Sequence, residues 1–294
     1  MNMRKLLTIA ASLLLLLTSC EREIDIDYHE IAPMVVIEGR VTNEGTQVAV
    51  RWSRSVTDSV RGASQPGAKV VVFDNGEENT LAYDPKDGCY RSALKGIPGH
   101  TYRMEVDYEG KHYEASSTMP IPSSVISTDF YWLNMLDQRL LVDVMWATDP
   151  DPAERNYFLY RIDRRSAHPH ITPRMQQKAY RWNVFDDRGN PPGRIYRDIH
   201  CMMEQTAIDD EEDNWEKILY DGDLIMLQLL TIDATAYEYF RTLISGQSGG
   251  ANPRSNISGG CQGYFMAAGI SRADTVVLHL DNVPDYEVPE DLWR

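Results

Sequence analysis

No catalytic motif is legible in this 294-residue chain. It has no GxSxG elbow, no HExxH helix, no phosphate-binding glycine loop and no dinucleotide fingerprint. Basic charge is scarce as well: 29 Lys and Arg stand against 44 Asp and Glu, a formal charge of −15. Nucleic acid is a polyanion held by clustered cations, so this balance argues against DNA or RNA as a partner. It also argues against a basic patch that would hold the chain on anionic lipid. Cysteine is rare, at four residues, and no two are spaced as CxxC. Cys89, Cys201 and Cys261 lie far apart, which allows at most one disulfide among them and leaves apolar packing as their default role. These absences read the chain as a non-enzyme without cofactor or resident metal. Only 6 Phe accompany 16 Tyr and 6 Trp. Such an aromatic set suits half-exposed sheet faces and binding surfaces.

There is one long apolar run, Leu6 to Leu17, preceded by Arg4 and Lys5 and followed by Thr18-Ser19-Cys20. At about a dozen residues it is too short to cross a hydrocarbon layer roughly 30 Å thick. It reads as a signal peptide over 1–19 ending in a lipobox, with Cys20 as the lipidated first residue of the mature chain. The diacylglyceryl cysteine then anchors the protein to a membrane. Residues 20–32 read as an acidic tether. Its Glu21, Glu23 and Asp25 resemble export signals of surface lipoproteins in the Bacteroidetes, which implies the outer membrane and its exterior.

From Met34 to Thr118 short runs of branched and aromatic residues alternate with turn signals, among them Asn75-Gly76 and Glu109-Gly110. This predicts an immunoglobulin-like β-sandwich over 33–119, without the Cys-Trp-Cys signature of antibody domains. Met119-Pro120-Ile121-Pro122 reads as a stiff connector. A second β-rich domain is expected over 125–282, with strands near 125–133, 139–146, 157–162, 223–233, 263–270 and 274–280. One short helix is expected over 234–244, capped by Asp233 and stopped at Gly246. The polar, proline-interrupted stretch 163–220 reads as a loop insert, and 283–294 as a tail.

Few residues invite chemistry. Asp209 to Asp213 lacks the spacing of a calcium loop and reads as a solvated run. His168-Pro169-His170 offers two imidazoles but no third ligand at a recognisable spacing. Asp149 and Asp151 flank prolines in a turn, where Asp is favoured for backbone reasons. Trp182, Trp215 and Tyr220 sit in the polar insert, where ring faces on loops can stack on a ligand or pin the loop down.

The segment Asn256-Ile257-Ser258-Gly259-Gly260-Cys261-Gln262-Gly263-Tyr264-Phe265 resembles the signature of a Bacteroidetes lipoprotein family, domain of unknown function 4249. Val35-Val36-Ile37-Glu38-Gly39, the hairpin from Gly99 to Tyr113 and Tyr237-Glu238-Tyr239-Phe240 agree with it. Cys261-Gln262 and the 163–220 insert depart from the usual pattern. The resemblance implies an outer-membrane lipoprotein, often encoded near a TonB-dependent receptor, and it brings no catalytic residues. Asn256, Gly259, Gly260, Gly263, Tyr264 and Phe265 read as structural, with the glycines permitting turns or close approach. The expected function is a binding or accessory protein in nutrient uptake. The alternatives are an adhesin or envelope-structural lipoprotein, and a hydrolase whose site converges from distant segments.

Overall fold

Turn chemistry and period-two alternation set the first half of the fold. A computed structural model describes residues 33–53, 65–208, 212–249 and 251–286. Cys20, the signal peptide, the tether, residues 209–211 and the tail from 287 lie outside the described residues. Strands β1 (Val35–Thr42) and β2 (Gly45–Trp52) form a hairpin, followed by β3 (Lys69–Asp74), β4 (Glu77–Thr80), β5 (Ala82–Asp84), β6 (Cys89–Ser92), β7 (Thr101–Tyr108) and β8 (Lys111–Thr118). Asn75 and Gly76 both take positive φ between paired Asp74 and Glu77, and Glu109 and Gly110 do the same between Tyr108 and Lys111. That handedness matches the twist of the flanking strands. A single strand is expected over 80–83, but the chain changes sheets there. Buried Leu81 donates its amide to the Val70 carbonyl at 2.9 Å, and β5 leaves to pair with β6.

The second half contains β9 (Val125–Met135), β10 (Gln138–Thr148), β11 (Tyr157–Arg165), α1 (Pro173–Gln177), β12 (Arg181–Asp186), β13 (Arg194–Met203), α2 (Glu204–Ile208), β14 (Leu224–Ile232), α3 (Ala234–Gly249), β15 (Gln262–Arg272) and β16 (Val276–Val277). The insert therefore holds more regular structure than its polarity suggested. In β13 the residues Ile195, Ile199 and Cys201 are fully buried, while Asp198 and His200 are exposed on the opposite face. Helix α3 starts where Asp233 accepts the Ala236 amide at 2.8 Å, but it runs past Gly246 to Gly249. Gly246 serves close approach instead of a stop, since a Cβ there would lie 2.3 Å from the Ala251 carbonyl oxygen.

The strands form three sheets: a nine-stranded one in the order β12-β11-β14-β15-β1-β2-β6-β5 with β16 on β14, a four-stranded one, β4-β3-β7-β8, and a three-stranded one, β13-β10-β9. One face of the large sheet carries two apolar cores side by side. The first, with Ile37, Val48, Val72, Tyr102, Met104 and Phe265, lies under the four-stranded sheet. The second, with Leu141, Met145, Phe158, Ile162, Ile199 and Leu229, lies under the three-stranded sheet. On the opposite face α3 buries Ala236, Tyr239 and Phe240 against Leu159, Leu230 and Met266.

Strand β15 joins the two halves. Its residues 262–268 run parallel to β1, and residues 269–272 pair antiparallel with β14. The large sheet therefore continues across the Met119-Pro120 connector, and from Pro33 onward the chain forms one compact unit. The connector is fixed in passing: the Ser123 amide donates to Thr231 Oγ1 at 2.8 Å, and Pro122 fills the space beside Gly269.

Candidate functional site

The signature segment enters the first core from the C-terminal side. Ile257, Cys261 and Phe265 are buried among residues of β1, β3, β7 and β8. The Asn256 side chain holds both backbone groups of Phe265, donating to its carbonyl at 2.8 Å and accepting its amide at 2.9 Å. Ser117 Oγ accepts the next outward amide, from Ala267, at 2.7 Å and donates to Asp233. Two side chains thus supply the hydrogen bonds that a neighbouring strand would give before β14 takes over. Gly263 takes φ +118, and a Cβ there would fall 1.8 Å from the Ile37 carbonyl oxygen. Gly259, at φ +94, brings the loop against the His112 carbonyl oxygen, 2.3 Å from where a Cβ would sit, and Gly260 shares its handedness. Tyr264 faces away and packs on Tyr239 and Phe240 beneath α3.

The three loop aromatics part company. Trp182 lies on β12, half-buried, with its ring 6.0 Å from Phe240. It belongs to the layer under α3. Trp215 and Tyr220 come together with the two histidines of the His168-Pro169-His170 turn. Tyr220 stacks on His168 at 3.5 Å between centroids, and Trp215 stacks on His170 at 4.0 Å. The imidazoles meet edge to face at 5.1 Å. This row of four rings pins the segment after β11 to the turn before β14.

Beneath the rings lies buried charge. Arg164 and Asp223 are 4% and 1% exposed. Arg164 Nη1 donates to the carbonyls of Ile218 and Trp215, and its guanidinium lies 5.3 Å over the Tyr180 ring. Asp223 accepts the Tyr220 amide at 2.9 Å. Burial pushes the Asp223 carboxyl up, opposed by hydrogen bonding from Ser166 and by the charge of Arg164. Burial likewise lowers Arg164, which Asp223 opposes. Arg164 Nε and His168 Nδ1 are buried without an acceptor or donor among the described residues.

Next to this cluster, at the end of the second sandwich, a cavity of about 350 Å³ opens between the β9–β10 turn, the end of β13 and the turn holding Lys217. Met135, Leu140, Met202 and Met203 form its walls, and Arg181, His200 and Lys217 supply its polar rim. A second cleft of about 340 Å³ shares Met135, Leu140 and Met203 and wraps around Leu136. Tyr180 connects cavity and ring cluster by donating to the carbonyls of Cys201 and Lys217 at 3.1 and 2.7 Å. Cys201 borders the cavity, but burial drives its thiol far up, so it stays protonated and inert. Cys89, Cys201 and Cys261 are all buried free thiols.

Sequence reasoning missed this cavity because its walls come from four separated segments. It also missed a group on the outer face of the first sandwich. Glu105, His112 and Glu114 place ligand atoms within 4.8 Å of one another. The Glu109-Gly110 turn predicts that grouping, since the register it sets pairs Glu105 with Glu114 and Asp107 with His112. Asp107 engages His112 Nδ1 at 2.7 Å and raises its pKa, while Arg103 reaches both glutamates. The arginine already balances the paired carboxylates there.

The architecture is that of a mainly β protein with two sandwich cores on one shared sheet and a ligand-sized cavity at one end. A family model described as a domain of unknown function, DUF4249, matches residues 21–273, and the chain belongs to that family. No curated protein matches it.

Proposed function

We propose that the protein is a lipid-anchored binding or accessory protein of the outer membrane, serving a TonB-dependent transporter in nutrient uptake. The Cys20 lipobox and the acidic residues behind it support the anchoring and its compartment. One observation carries the binding role: a methionine-walled cavity of about 350 Å³ stands beside loops held in place by stacked rings and by hydrogen bonds from buried Arg164 and to buried Asp223. Pockets of this size with apolar walls and a few convergent polar groups hold small molecules. A shared sheet keeps the cavity in fixed register with the N-terminal half, as suits presentation of a ligand from a tether. Photo-crosslinkers at the exposed positions Ile97 and Ile126, followed by mass spectrometry of intact cells, test the reading. Adducts to an outer-membrane receptor are expected, with protease shaving reporting the exposed face. A chain that crosslinks only to itself or to wall polymer overturns it.

A further inference from the structure

We propose that the cavity takes a small anionic amphiphile, a monocarboxylate with an unbranched apolar body of about ten carbons. This deepens the binding reading above and rests on it. Volume sets the size: at roughly 30 Å³ for each group the size of a water molecule, about 350 Å³ admits about a dozen heavy atoms. The walls set the body. Met135, Leu140, Met202 and Met203 offer apolar contact, and thioether side chains adapt to flexible chains without fixing a shape. A sugar would find few partners for its hydroxyls on such walls.

The rim sets the charge. Arg181 Nη2 donates to the Cys201 carbonyl, and Lys217 Nζ reaches Asn214 Oδ1 at 3.3 Å. Neither has a carboxylate within ion-pair distance among the described residues, in a chain with 44 acidic side chains to 29 basic ones. Two cations thus border an apolar cavity with donors to spare for one carboxylate. The lip is also unusual. Leu136 is fully exposed and holds φ +53, a conformation that costs a leucine free energy. Met135 and Met203 beside it are about half exposed. An alkyl chain leaving the cavity would cover these three side chains.

The test uses the mature chain with Cys20→Ser, so that no attached acyl group competes. Titration calorimetry with decanoate, below its micellar range, should give one site. Decylamine, with the same body and opposite head, should not bind there. Lys217→Ala should weaken decanoate about tenfold, the loss expected for one charge-assisted contact. Met203→Glu, which puts a like charge in the wall, should abolish binding, and circular dichroism checks that both variants fold. Absence of decanoate binding, equal binding of decylamine, or indifference to both substitutions overturns the proposal. Sedimentation with phosphatidylglycerol vesicles separates the sources of the head group: binding to vesicles without binding of free decanoate overturns it in favour of a bilayer surface. Crosslinking to a receptor in cells is scored independently, so loss of the ligand class and loss of the accessory role give different results.

Discussion

In the first sandwich the buried set is aliphatic, aromatic and sulfur-containing side chains, with hydroxyls such as Thr42, Thr46 and Ser117 as its polar members. The second sandwich buries Asp143, Arg164 and Asp223 as well. Both cores lie on one face of the same sheet and are each covered by a second sheet, so layer architecture alone does not explain the difference. Buried charge costs free energy unless it is paired and hydrogen-bonded, and a chain retains it where something besides stability is required. Arg164 and Asp223 underlie the ring row beside the cavity. On the proposed binding role the first half serves as the clamp and the second as the working end, with β15 fastened into the clamp.

The strongest way to break that division is at the fastening itself. Gly263→Ala places a methyl group on the Ile37 carbonyl oxygen in a backbone conformation that L side chains rarely adopt. Parting β1 from β15 opens both halves, so the loss should exceed about 4 kcal/mol. The variant should fail to accumulate, or unfold without a cooperative urea transition. Phe265→Ala should cost about 3–5 kcal/mol, because the ring is fully buried and its neighbours come from two sheets. Urea denaturation followed by tryptophan fluorescence checks it. If the halves act as one cooperative unit, far-ultraviolet ellipticity and fluorescence will shift together.

These two residues also mark how far the sequence could be read. The hairpins at Asn75-Gly76 and Glu109-Gly110 and the cap at Asp233 were legible because each rests on local chemistry within a few residues. The joining of β15 to β1 was not, since parallel pairing across some 225 residues leaves no periodicity in either strand. The signature drew attention to Gly263 and Phe265 without saying what they touch. Trp182 read as a loop aromatic because its strand lies in a polar stretch, where an edge strand needs only one apolar face. Trp215 and Tyr220 were separable from it only by the histidines they stack on. The cavity walls, drawn from residues near 135, 140, 202 and 217, had no linear signal at all.

Asp143 tests the working end without touching the clamp. It is wholly buried on β10, accepts from Thr128 Oγ1 and leaves Oδ2 without a partner among the described residues. Burial raises its pKa from 3.8 to about 7. Below pH 4 the carboxyl is protonated in both folded and unfolded chains, and there is no penalty. Between pH 4 and 7 the unfolded chain ionises while the folded one keeps its proton, so stability falls as pH rises and levels off above about 7. Asp143→Asn should therefore match the parent at pH 4 and exceed it at pH 8 by a few kcal/mol, about 4 at most. Equal stability at both pH values would show that the carboxylate finds compensation in the core.

The smallest effects separate a backbone clamp from a surface ion pair at the two ends of β15. Asn256→Ala removes both hydrogen bonds to Phe265, in a half-buried setting where water replaces them poorly. A loss of about 1–2 kcal/mol is expected, nearly independent of salt. At the other end Arg272 pairs with Glu44, and both are nearly half exposed. Holding two long side chains in one geometry in water offsets most of the attraction, so Arg272→Ala should cost under about 1 kcal/mol and less still in 1 M salt. The Asn43 amide next to it already holds both backbone groups of Ile270, at 2.9 and 3.0 Å. If Arg272→Ala cost as much as Asn256→Ala, and salt did not reduce it, then the fastening would depend on charge at the working end. The division between an apolar clamp and a charged end would then have to be redrawn along β15.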